Sequence, residues 1–136
     1  MTAMVIGVFS AARVQAQDAP QNHLDGDWKN LDPNTRGIDV IVIAGKKIHP
    51  FGTCHPKDCD WGVIKAKSFA SSVDSADISK LVAKKYNGFD TVEITISLVD
   101  FGTLRVDTFT HFTDGSGRAD YSAVYYFHRS VSPFAP

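Results

Sequence analysis

From Gly26 onward, apolar and polar residues alternate in short runs separated by glycine, asparagine and aspartate. The clearest run is TVEITISLV, where Val92, Ile94, Ile96 and Leu98 alternate with Thr91, Glu93, Thr95 and Ser97. A period of two marks a half-buried strand, because successive side chains point to opposite faces. DFG and then TLRVDTFTHF follow, which reads as a hairpin with a three-residue loop ending in glycine. Pairing Val99 with Thr103 sets Leu98 opposite Leu104, Ile96 opposite Val106 and Ile94 opposite Thr108. The apolar faces then coincide, an independent reason to expect the hairpin.

The same reading extends both ways. TDGSGRA is a turn, and DYSAVYYFHR is the last strand, with Tyr121, Ala123, Tyr125 and Phe127 on its heavier face. Placing Phe112 opposite Tyr121 keeps that face with Leu104 and Val106. Upstream, Asn87-Gly88 is a strong hairpin signal that leads back to KLVAKKY. Ile78, Leu81 and Val82 also fit helical spacing, so one short helical turn is expected between Ser75 and Ser79, with Ser75 as its cap. IDVIVIA and KKIHP meet at Gly45-Lys46, and WGVIKAKSF follows the cysteine segment. Seven or eight short strands joined by tight turns predict an all-β fold, a small antiparallel up-and-down barrel of about eight strands; a sandwich is the alternative. In such a meander successive connections alternate between the two ends. LDPNTRG, FGTCHPKDCD, NGFD and TDGSGRA then gather at one rim, and the short turns gather at the other.

Composition narrows the setting. At 136 residues, with 43% apolar and 21% charged, the chain is one domain with an ordinary core. The formal net charge of −1 and dispersed basic residues give no positive stripe, which argues against a nucleic-acid partner. The apolar run from Ala3 to Ala12 is too short to span a bilayer, which takes about 20 such residues. With VQAQ after it, residues 1–16 read as an export signal cleaved after Ala16; an N-terminal helix packed on the domain is the alternative. Residues 17–25 are then a tail, 26–130 the barrel and 131–136 a second tail. Export, to the periplasm or beyond the cell, makes a Cys54–Cys59 disulfide the expected state of both cysteines. The spacing departs from the C-x-x-C of a redox pair, and a zinc site would need His55 and His49 as further ligands. No metal and no cofactor is expected.

GDWKN at the start of the barrel resembles the G-x-W opening of calycins, the superfamily of lipocalins, fatty-acid-binding proteins and avidins. The resemblance implies that Trp28 plugs the closed end and that Arg129, finishing the last strand at the same end, lies over it. Nearly the whole mature chain is also similar to a family of small exported bacterial proteins carrying three motifs. These stand here as GDWKNLDPNTRG, CHPKDCDWG and FTDGSGR. That likeness implies shape and location, and no chemistry.

No nucleophile elbow, zinc-protease helix or phosphate loop is present in the sequence. DGSGRAD has aspartate spacings like those of a calcium loop, but it lacks the sixth-position glycine and the final glutamate, so a β-turn is the better reading. Asp58 and Asp60 could act as a carboxylate pair or accept backbone bonds within a tight loop. The candidate rim surface is Arg36, His55, Asp58, Asp60, Trp61, Asp114 and Arg118, with the alternative that the arginines merely tie the loops together. Inside the barrel, Thr108, Thr110, Phe112, Tyr121 and Tyr125 either line a cavity or interlock as core. The expected function is a non-enzymatic binding protein for a small apolar or amphipathic molecule at the mouth or rim. The alternatives are a secreted module, inhibitor or glycan-binding protein, that uses the rim on an extracellular macromolecule, and a small hydrolase or isomerase using His55 with Asp58 or Asp60. The sequence assigns no oligomeric state.

Overall fold

The computed structural model describes residues 22–130. The expected export signal and the 131–136 tail lie outside them. Nine strands form a single antiparallel sheet: β1 (Gly26–Asn30), β2 (Ile38–Ala44), β3 (Lys47–Gly52), β4 (Cys59–Asp60), β5 (Ile64–Phe69), β6 (Lys80–Tyr86), β7 (Asp90–Asp100), β8 (Thr103–Phe112) and β9 (Tyr121–Arg129). β1 pairs with both β2 and β9, and β2 with β3, so the sheet closes on itself. β4 adds only two residues along the upper end of β3, which leaves a ring of eight strands. The fold is therefore the expected up-and-down barrel, and closure removes the open edges that a sheet would otherwise expose.

The β7–β8 register follows from the alternation: Leu98 faces Leu104, Ile96 faces Val106 and Ile94 faces Thr108. Two details differ from expectation. Asp100, not Val99, pairs with Thr103, because Asp100 accepts the Gly102 amide at 2.8 Å and tightens the loop to two residues with a bulge before it. Tyr121 sits opposite Thr110 rather than Phe112. A slip of two residues keeps every side chain on its face, so the apolar pattern alone does not forbid it. The helical turn expected between Ser75 and Ser79 is also absent; no helix occurs among the described residues. The Ser75 hydroxyl accepts the Asp77 amide, and the Ser79 amide goes back to the Phe69 carbonyl at 2.9 Å, so the segment closes a wide hairpin instead.

β4 and β5 are one strand broken at its middle, and Pro50 supplies the reason. Phe51 pairs with Asp60, so Pro50 faces Trp61, and the Trp61 amide donates to the Pro50 carbonyl at 3.1 Å. The return bond needs an amide hydrogen that proline lacks. The chain leaves the ladder at Gly62, at φ 82°, and rejoins it where Ile64 meets Ile48. On the other side, β5–β6 pairing stops at Ala66 and Ala83. The upper part of β6 therefore stands beside a seam in the barrel wall.

The core fills the lower half. Leu24, Trp28, Ile41, Ile48, Leu81, Ile94, Leu104, Val106 and Phe127 are completely buried there. Of the segment expected as a tail, residues 22–25 belong to this closed end: Leu24 is in the core, and its carbonyl takes the Trp28 indole N–H at 2.9 Å. The Arg129 guanidinium lies 4.3 Å from the Trp28 ring. It donates to the carbonyls of Phe101, Asp25 and His23 at 2.8, 2.8 and 2.7 Å. Gly26 has φ 141°, and a Cβ there would meet the guanidinium at 2.8 Å, so glycine is required beneath it.

Candidate functional site at the barrel mouth

The upper half of the barrel is an open cup of about 420 Å³. Inward-facing positions on four strands continue upward from the core and form its wall. β6 gives Lys85, two residues beyond Ala83; β7 gives Asp90 and Val92; β8 gives Thr108 and Thr110; β9 gives Tyr121 and Tyr125. Trp61 enters through the seam. Its ring lies so close over Gly52 that a Cβ there would fall 2.6 Å from the indole nitrogen. The Trp61 carbonyl, deprived of a partner by Pro50, takes the Lys85 ammonium at 3.1 Å. A missing backbone donor thus places an aromatic ring and a cation side by side in the cup.

The loop between β1 and β2 completes the wall, and nearly all of its polar groups hold its own shape. Asn30 is buried; its amide donates to the Ile38 carbonyl at 2.8 Å, and its oxygen accepts the Asp32 amide at 2.8 Å. Asp32 accepts the Asn34 amide at 2.9 Å across Pro33, an aspartate turn of the usual kind. Thr35 and Gly37 are each bound to Thr53: the Thr53 hydroxyl donates to the Thr35 carbonyl and its amide to the Gly37 carbonyl, both at 2.9 Å. Gly37 must be small, because the Tyr125 hydroxyl occupies the place a Cβ would need. Arg36, between these two anchors, is exposed at the rim, where it lines both the cup and the outer groove beside Tyr126, and has no ion pair or hydrogen bond among the described residues.

Thr53 precedes Cys54, which is bonded to Cys59 with Cα atoms 5.4 Å apart. The expected staple is therefore present, and it lies next to the anchor of the Arg36 segment. Its far side is fixed on the outer face. There Lys29 binds both oxygens of Asp39 at 2.7 Å, and Asp58 hydrogen-bonds Asp39. Burial, then the bond to Asp39 and then its charge push the Asp58 carboxyl above its usual range. For Asp39 burial acts upward as well, but the Lys29 and Asp58 bonds outweigh it and hold the carboxyl low.

The candidate rim residues thus separate into three groups. Arg36 and Trp61 meet at the cup. Asp60 touches its edge, with its carboxylate committed to His49 at 2.5 Å and to the Gly62 amide at 2.7 Å, bonds that hold its pKa low. His55 and Asp58 lie away from the cup, Asp58 on the Asp39 side. Asp114 and Arg118 pair with each other at 2.8 Å, and Arg118 covers Phe112 at 4.1 Å and Phe89 at 5.8 Å. The Ser116 side chain and amide, followed by Arg118, lower Asp114 to about 2. Arg118 thus closes its own turn on Asp114 and reaches the neighbouring loop at Phe89, which Thr113 also bonds, and Phe112 packs under Arg118 rather than lining the cup. Of the interior candidates, Thr108, Thr110, Tyr121 and Tyr125 do line the cup. Burial, and then the Tyr121 charge, raise the Tyr125 phenol, while a bond to Thr108 works against them.

Sequence reasoning missed Lys85, Asn87 and Asp90. The signal for Lys85 was present in strand parity, since Leu81 and Ala83 point inward and position 85 must follow them. Asp90, also buried, accepts the Asn87 amide at 2.7 Å, so the Asn87-Gly88 turn sets a carboxylate into the wall as well as reversing the chain. No group of metal-ligating side chains occurs among the described residues. Of the two catalytic pairings expected, His55 with Asp58 or Asp60, the Asp60 carboxylate goes to His49, while His55 stands within electrostatic reach of Asp58, away from the cup. Comparison of the chain with protein-family models, with curated proteins and with solved structures finds no match.

Proposed function

We propose that this is an exported, non-enzymatic binding protein that receives a small amphipathic molecule in the barrel mouth. One observation carries the reading. The barrel is filled below and open above, and the open part is walled by Trp61, Tyr121 and Tyr125 with Thr110, Lys85 and Arg36 among them. Aromatic walls with a few placed polar groups, in a volume within the roughly 300–1,000 Å³ of small-molecule sites, are the usual make-up of a ligand cup. The disulfide supports an oxidising location. Among the described residues no helix is long and apolar enough to cross a membrane. The closed end, with Arg129 over Trp28, supports kinship with calycin-like barrels and with the small exported family whose motifs the chain resembles.

The test is native mass spectrometry of the chain exported into an oxidising compartment, beside a Thr110→Phe variant that fills the cup. The expected spectrum shows a small organic adduct on the parent and none on the variant. An adduct retained by the variant, or none on either, overturns the reading. A second reading, a module that grips a macromolecule, is favoured by the outer face, where Leu31, Phe109, Val124 and Tyr126 are exposed beside one another on β8, β9 and the loop after β1. An empty cup and a stable complex lost on Val124→Asp would shift the assignment to it.

A further inference from the structure

We infer that the ligand of the cup is an oxyanion on an apolar body, its carboxylate, sulfate or phosphate head held between Arg36 and Lys85 and its body against Trp61 and Tyr121; this rests on the binding reading above. Hydrogen-bond partners are shared unevenly among the charged groups of the cup. Four ionisable side chains line the cup: Arg36, Lys85, Asp60 and Asp90. The two carboxylates have partners of their own, Asp60 in His49 and the Gly62 amide, Asp90 in the Asn87 side chain. The two cations have no carboxylate partner. Lys85 uses one of its three donors on the Trp61 carbonyl, and Arg36 uses none of its five on any described residue. An exposed guanidinium at the rim and an ammonium in the wall of the same cup favour an anion bound by charge-assisted hydrogen bonds.

Arg36 is also held in place in advance. The bonds from Thr53 to Thr35 and Gly37 fix the backbone on both sides of it, and Tyr125 packs against Gly37 from within. A charged side chain carried on an anchored loop costs less to order on binding than one on a loose loop. The Asn30, Asp32 and Thr35 side chains of the same loop are spent on its shape, Thr35 by accepting the Gly37 amide at 3.2 Å. The apolar body is specified by the aromatic rings that share the lining with the cations, those of Trp61 and Tyr121.

The test uses two fluorescent probes of one shape, anionic anilinonaphthalene sulfonate and neutral phenylnaphthylamine, titrated into the intact oxidised protein. The sulfonate should bind about tenfold or more tightly than the neutral dye, the worth of one charge-assisted contact. Arg36→Gln and Lys85→Gln should each remove most of that preference while leaving the neutral dye within about twofold. Octanoate should displace the sulfonate, and acetate, the bare head group, should not. Equal binding of the two dyes, both excluded by Thr110→Phe, overturns the anion assignment and leaves the cup a binding site. Dye binding that Thr110→Phe does not reduce overturns both. Acetate competing as well as octanoate removes the apolar body from the proposal. Arg36→Lys, which keeps charge without the fork, separates the two contributions: full retention of the preference would overturn the role given to the guanidinium.

Discussion

At the scale of single residues, the paired aspartates on the outer face give the sharpest expectation. Asp58 is raised and Asp39 lowered, and the two share a hydrogen bond that needs a proton on one of them. A raised folded-state pKa means that Asp58 contributes stability below the unfolded aspartate value of about 3.9 and loses that contribution as pH rises through its folded value. Asp39 has the opposite sign: its contribution is present above that value and fails as pH falls below it. Once Asp58 is ionised, two carboxylates face each other, and Lys29, bound to Asp39, offsets only part of their repulsion. Asp58→Asn keeps a donor for Asp39 and removes one charge. It should stabilise the protein at neutral pH by up to about 1 kcal/mol, a ceiling set by solvent screening at so open a site. The gain should shrink in acid, as pH falls through the raised folded value of Asp58 and that carboxyl takes up the proton it shares with Asp39. Urea unfolding at neutral and at acid pH checks it; a gain that is equal at both would mean that charge is not the cause.

At the scale of elements, the alternation in β7 and β8 made the register legible, because a strand with one buried face cannot slip by one residue. It was least informative at strand ends, where Asp100 and its turn, rather than side-chain parity, decide the pairing. It was silent on the seam. Nothing in WGVIKAKSF announces that the strand starts only at Ile64; the cause lies on another strand, in the missing hydrogen of Pro50. That origin makes a prediction about coupling. Pro50→Val restores an amide that can donate to the Trp61 carbonyl, and the buried side chain changes little in volume. Lys85→Met in the parent removes the donor that carbonyl now has, costing about 1 kcal/mol. In the Pro50→Val background the same change should cost almost nothing. A double-mutant cycle by urea denaturation should therefore return a coupling of about 1 kcal/mol. Additive effects would show that the two groups do not serve the same carbonyl.

At the scale of the whole molecule, the end at which the long loops gather was more legible in the sequence than the side chains that line the cup there. Alternating connections were enough to gather the four loops at one rim. Whether a loop side chain turns inward was decided by contacts far away in the chain: His49 draws the Asp60 carboxylate to itself, Asp39 draws Asp58, and Arg118 folds back on Phe112. The disulfide acts at this same scale. It closes too short a loop to hold a barrel together, contributing about 2 kcal/mol by chain entropy. Eight closed strands and a filled lower half do not depend on it. What does depend on it is Thr53, next to Cys54, and through Thr53 the backbone on both sides of Arg36. Replacing both cysteines by serine should therefore loosen the rim selectively. In amide hydrogen exchange, Thr53 should lose protection, while Ile94 and Val106 in the core keep theirs to within the roughly 2 kcal/mol of the global change. Anion binding in the cup should weaken alongside, because ordering Arg36 then becomes part of the cost of binding. If core and rim amides instead lose protection together, the bond stabilises the barrel as a whole, and the rim owes its shape to its own turns.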